Sequence, residues 1–223
     1  MPDTGRISMK DLDSNDPLTQ VMFSAATTML GRVPNSHRVA AHAPFMQMML
    51  TPFTAVMQRE GGGSCLTTKL KEMAVIKTSH TNGCNYWLAH NTSLGQAAGI
   101  TDEQVDVIGT DDYMKSPLLN DREKAAVLWA EHVTKNTARS RDDIFEHVRS
   151  IFNEQEIVEL TMITGLFNFR NRYMDSLKIP LEPIEEVNKI KNTGRLDTNK
   201  LKAYLEHVLK NWPEEFPEPN PDE

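Results

Sequence analysis

The sequence predicts an all-α fold, a single helical domain of about eight helices. Three observations predict it. Apolar residues recur at helical spacing over long stretches. Four positions carry the capping signature of a helix N-terminus. Alternating β-branched runs joined by an Asn-Gly turn are missing.

Residues 1–16 are polar and are expected to form a flexible N-terminus. From Pro17, residues Leu18, Val21, Met22, Ala25 and Met29 lie on one helical face, and Gly31 marks its end. A Met- and Phe-rich helical pattern then runs from about His37 to Gln58. Pro44 and Pro52 interrupt it, which predicts a kink or a split. It stops at Gly61-Gly62-Gly63. Later starts are signed by Thr101 with Gln104, Asn120 with Glu123, Ser140 with Asp143, and Asn153 with Glu156. Pro180 and Pro183 close the last long helix, so the main domain is expected to span 17–183. Residues 184–223 read as an extension: one amphipathic helix from about Asp197, then an acidic, Pro-rich tail.

The 223 residues carry a net charge of −7, which speaks against nucleic acid as a partner, since phosphate binding needs clustered Lys and Arg. No run approaches the ~18 apolar residues of a membrane span. The N-terminus lacks the apolar stretch of a secretory signal. Two cysteines make no disulfide framework, and the expected location is cytoplasmic. His37, His42, His80 and His90 show no metal-ligand spacing, so no metal is expected.

The chemistry concentrates in Leu66 to Gly99, which reads as helix, a turn at Thr81-Asn82-Gly83, and helix. Cys84 opens the second helix, where the dipole and free N–H groups favour a thiolate; the plain alternative is a small buried thiol. Glu72 has apolar neighbours on two faces, Leu70, Met73 and Ala74 on one, Val75 and Ile76 on the other. A carboxyl so placed gains a raised pKa and trades protons near neutrality. The alternative is a head group that reaches solvent or pairs with Lys69.

The run from Leu66 through Lys69 to Glu72, with Cys84 twelve positions on and a His-bearing helix after it, resembles the signature of the carboxymuconolactone decarboxylase and alkyl-hydroperoxidase-D-like superfamily. Residues 33–46, VPNSHRVAAHAPFM, resemble its opening helix, and 156–183 its closing helix. The resemblance covers roughly 20–183. It implies the all-helical fold of that superfamily, a homo-oligomer built from trimers or hexamers, and two branches of chemistry. One branch is a disulfide peroxidase, with Glu, Cys, a second Cys three residues on and a His four further. Glu72 and Cys84 match it, but Trp87 stands at the second Cys and Asn91 at the His, with His90 one residue early. At ~100° per residue His90 points roughly 120° from Cys84. Cys65 precedes the first helix and lies roughly 20 Å from Cys84 along a straight helix, too far for a bond.

The other branch, the lactone decarboxylases, works without cofactor through positioned acids and bases. The expected function is therefore a cofactor-free lyase, decarboxylase or isomerase acting on a small organic acid or lactone. Glu72, Cys84 and His90 would be catalytic, and Tyr86, Trp87, Asn91 and Asn168 would bind substrate. Asn168, Arg170 and Arg172 are polar positions in an apolar helix, one of which would suit a substrate carboxylate. Two alternatives stay open: a thiol peroxidase using Cys84 with an external reductant, and a non-catalytic oligomeric binding protein.

Overall fold

The structure, a computed structural model, describes residues 5–216 and 218. Among them are eleven α-helices rather than about eight, and no strand beyond one isolated bridge between Glu60 and Arg195. In chain order they are α1 Pro17–Leu30, α2 Asn35–Ala40, α3 Pro44–Gln58, α4 Thr68–Asn82, α5 Asn85–Ala97, α6 Asp102–Ile108, α7 Asp121–Thr134, α8 Asp142–Arg149, α9 Glu154–Leu177, α10 Ile184–Val187 and α11 Thr198–Lys210. The surplus comes from elements such as α2 and α10, too short to show a period.

Three of the four capping signatures form as the residues require. Thr101, Asn120 and Asn153 each accept from the third helical amide, and the Gln or Glu there reaches back to the cap. Ser140 does not: it ends a 3₁₀ turn, and α8 starts at Asp142 behind Arg141, with no side-chain cap. The Arg141–Asp143 ion pair engages the carboxylate that the cap would have used.

α4 is the axis, packed against α5, α7 and α9, and it is buried on all sides from Leu70 to Ser79. Its cations survive burial because each has a partner. Lys71 Nζ lies 2.5 Å from Glu159 and donates to the Arg59 carbonyl, while Lys77 donates to the Thr110 carbonyl beneath the Tyr113 ring. The turn into α5 needs a left-handed residue, which Gly83 supplies at φ 72°. Gly95 lets α5 lie close: a Cβ there would meet Ile100 Cδ1 at 2.8 Å and Glu72 Cβ at 3.4 Å.

Pro44 opens α3 and separates it from α2, but Pro52 sits inside a continuous helix. A proline leaves the carbonyl four residues back without its helical donor. That carbonyl belongs to Met48, and it accepts the Tyr204 hydroxyl of α11 at 2.7 Å. Tyr204 and Val208 thus enter a second core with Met22, Phe23, Met29 and Met48 of α1 and α3. At the other terminus, Arg6 N donates to the Leu177 carbonyl and Lys10 N to that of Arg38. Of the acidic, Pro-rich end, residues 217 and 219–223 lie outside the described residues. No helix among the described residues is long and apolar enough to cross a membrane.

Candidate functional site

A cavity of about 640 Å³, open mouth included, lies between α2, α3, α5 and α9, with Ile190 and Thr193 of a 3₁₀ turn at one side. α5 contributes Tyr86, Trp87 and His90, which are one helical turn apart or adjacent and so share its wall. Tyr86 and His90 stack at 4.6 Å, and Trp87 meets Phe167 edge-on at 5.1 Å. All three α5 side chains line this cavity, with no Met or Phe of α3 among its lining residues.

Arg170 of α9 is the most informative side chain in the wall. It is 4% exposed, its guanidinium lies 4.3 Å over the Trp87 ring, and Nη1 donates to Thr54 Oγ1 at 2.9 Å. Its Nε has no hydrogen-bonding partner, and no carboxylate pairs with it among the described residues. Burial pulls its pKa down to about 10, still cationic at neutral pH. A second buried arginine, Arg59, is anchored by Nε on the Thr193 carbonyl at 2.6 Å and Nη2 on Thr193 Oγ1 at 2.9 Å. His37 completes the cationic neighbourhood as a neutral ring. Burial first, then the charges of Arg170 and Arg32, drive its pKa down to about 3, and its Nε2 lies 3.1 Å from both Thr51 Oγ1 and Gln47 Nε2.

Glu72 does not line the cavity. It is wholly buried, next to Gln58 and Arg59, which do. Neither carboxyl oxygen has a hydrogen-bonding partner among the described residues. Burial raises its pKa to about 8, and Arg59, the nearby Gln58 amide and Lys71 offset only part of that rise. Asn91 is also one layer behind the wall. It accepts from Gln58 Nε2 at 3.2 Å and donates to Ser79 Oγ at 3.2 Å, and Ser79 in turn reaches Asn171.

Cys84 is placed differently from the expectation. It caps α5 as foreseen but is 0% exposed, within the main core beside Trp87, Phe167 and Met174. Burial pushes the thiol up to about 12, and Asp175 adds to this, against the opposing pull of the first-turn amides. Desolvation outweighs the helix terminus, so the thiolate expectation fails. Cys65, half-buried, donates through Sγ to Glu159 Oε2 at 2.8 Å and is raised to about 11 by burial and that carboxylate. Both thiols are free, at opposite ends of α4. Asn168 is likewise not in the cavity: it binds Asn82, Thr134 and Arg172 on the far side of α9.

Sequence reasoning missed Arg32, His37, Arg59 and Glu182. Glu182 Oε1 accepts from the Tyr86 hydroxyl at 2.9 Å, the Asn35 amide at 2.7 Å and Arg32 Nη1 at 3.3 Å, tying α2, α5 and the segment after α9 together. Among the described residues no group of three His, Cys, Asp or Glu is placed to hold a metal ion.

Residues 44–132, from α3 into α7, match the model of the Carboxymuconolactone decarboxylase family. The uncharacterized protein YdfG of Bacillus subtilis is 26% identical over 117 residues, 52% of this chain and 78% of its own length. The crystal structure of the alkylhydroperoxidase AhpD core of a peroxidase-related protein from Ralstonia eutropha JMP134 superposes with a TM-score of 0.67. It shares 23% identity and covers 84% of this chain and 96% of that one. The debrominase Bmp8 superposes at 0.63 with 18% identity, over 82% and 96%, and a variant of it is known in complex with 2,3,4-tribromopyrrole. At these identities the structural likeness concerns the fold.

Proposed function

We propose that this chain is a member of the carboxymuconolactone decarboxylase and AhpD-like superfamily and an enzyme that binds a small organic acid in the α3–α5–α9 cavity and acts on it by proton transfer. The observation that carries the reading is Arg170. A buried guanidinium without a counter-ion is costly to keep, and an anionic ligand group would supply the missing partner. The Trp87, Tyr86 and His90 rings suit a planar, apolar body beside that anion. That the debrominase Bmp8 takes a small aromatic ring is in keeping with this.

Two groups serve proton transfer near neutrality, His90 as acceptor and Glu72 as donor. His90 stands at the wall, and Glu72, with its pKa about 8, lies just behind Gln58 and Arg59. A lyase, decarboxylase or isomerase step on carbon next to a carbonyl needs such a pair and no cofactor. Calorimetric titration with benzoate and simple lactone acids tests the reading. Binding with a dissociation constant around or below millimolar is expected, on the scale where 1 mM corresponds to about 4 kcal/mol. No heat from any small carboxylate, with neutral analogues binding instead, would overturn it.

Peroxidase chemistry fits less well. Two buried or carboxylate-paired thiols with pKa values of about 11 and 12 hold almost no thiolate at neutral pH. Coupled assays with dithiol reductant and peroxide should show no turnover above background. Robust turnover that vanishes in Cys84→Ser would restore the thiol reading.

A homo-oligomer is part of the same proposal. Met46, Met49 and Phe53 on α3 and Val158, Met162 and Phe169 on α9 are exposed, Met46 at 76%. Contacting helices that both show such apolar residues suit burial against a second copy. Sedimentation at micromolar concentration should give a multimer; a monomer throughout would refute it.

A further inference from the structure

His90 stands in the wall with its one accepting lone pair already occupied. Its Nδ1 lies 3.0 Å from the Tyr86 carbonyl oxygen, an acceptor only, so Nδ1 carries the hydrogen and Nε2 the lone pair. Arg32 Nη2 lies 3.2 Å from that Nε2. The second oxygen of Glu182 stands 3.5 Å from the same nitrogen, fully buried and with no hydrogen-bonding partner among the described residues. A buried carboxylate oxygen without a donor costs free energy, and a proton arriving on His90 Nε2 would place the missing cation beside it.

We propose that Glu182 is the positioning carboxylate of a His90 general base, and that Arg32, which now fills the lone pair of that base, leaves it when an anionic substrate draws the guanidinium into the cavity. This rests on the small-acid reading above. Arg32 is placed for the exchange: it lines the cavity and bonds both Glu182 and His90. In the step, the substrate X–H bond breaks, its proton passes to Nε2, and its electron pair stays on X. The Nδ1–H bond to Tyr86 is kept, and Glu182 Oε2 supplies the countercharge for the imidazolium. No oxidant or further reactant enters.

The groups facing His90 are Glu182 from the segment after α9, Arg32 from the segment after α1, Arg170 from α9 and Tyr86 from its own helix. Burial and the two arginines hold the ring neutral, with Glu182 opposing them. Removing one arginine from Nε2 therefore turns the balance toward the charged form.

NMR titration of the full chain with labelled histidine, from about pH 4 to about pH 9, reads this directly. The His90 signal is identified by its loss in His90→Gln, and benzoate is the probe. In the wild type, saturating benzoate should raise the His90 pKa by about 1 unit or more, the size of one close charge removed. Glu182→Gln should bind benzoate through Arg170 yet show a clearly smaller rise, because the countercharge at Nε2 is gone. Because Glu182 also ties three segments, Arg32→Leu provides a second arm: His90 should rise by a similar ~1 unit without any probe. Benzoate bound with His90 unmoved, a full rise in folded Glu182→Gln, or no rise in Arg32→Leu overturns the relay alone. Failure of benzoate to bind the wild type overturns the small-acid reading and the relay with it.

Discussion

Glu72→Gln is expected to stabilise the protein at alkaline pH while removing most of its activity. In the unfolded chain a Glu ionises near 4.5, whereas folded Glu72 holds its proton to about 8. Between those values the folded state binds one proton more, so stability falls as pH rises. The contribution is complete below about 4.5 and lost as pH passes about 8. Gln does not titrate, so the gap between variant and wild type should be small at about pH 5 and reach a few kcal/mol, on the order of 4, above about pH 8.5. Urea melts of both proteins at the two pH values measure it. A pH-independent gap would mean that Glu72 is paired or solvated. On the acid that calorimetry identifies, the same variant should lose roughly 10²–10⁴ in rate, the usual share of a general acid or base. Normal turnover with a lowered melting temperature would remove Glu72 from the catalytic pair.

Arg170→Met should abolish recognition of the acid without harming the fold. Met keeps an apolar contact with the Trp87 ring and loses the charge and its hydrogen bonds. Losing a buried charge-assisted contact costs about 2–5 kcal/mol of binding, roughly 30- to 5,000-fold in affinity. The melting temperature should hold or rise, because an unpaired buried cation is removed. Arg170→Lys should recover part of the affinity, since it restores a charge but not the fork. A protein that binds benzoate as before but melts earlier would show that Arg170 serves packing alone.

The helices were legible where their signals are local. Thr101, Asn120 and Asn153 cap because the side chain and its amide lie three residues apart. Ser140 failed because an ion pair from Arg141 took Asp143. The burial of Glu72 could be read from apolar neighbours on two faces, but the apolar helix offered Asn168, Arg170 and Arg172 alike, and only Arg170 lines the cavity. The Cys84 thiol was misjudged for the opposite reason. The helix terminus is written in its neighbours, but the desolvation that outweighs it comes from α9, some eighty residues on. Arg32 and Glu182 left no signal at all. They sit in short connections flanked by prolines, where no period exists and only the tertiary fold brings them to His90.

The missing amide of Pro52 bears on how the cavity wall is held. The Met48 carbonyl has no helical donor of its own, so it is left for the Tyr204 hydroxyl, and α11 is held against α3 at that point. Residues 188–193, which carry the Ile190 and Thr193 wall, lie in the segment that leads into α11. The Tyr204 bond therefore helps to pin the stretch of chain that closes one side of the chamber between α3, α5 and α9.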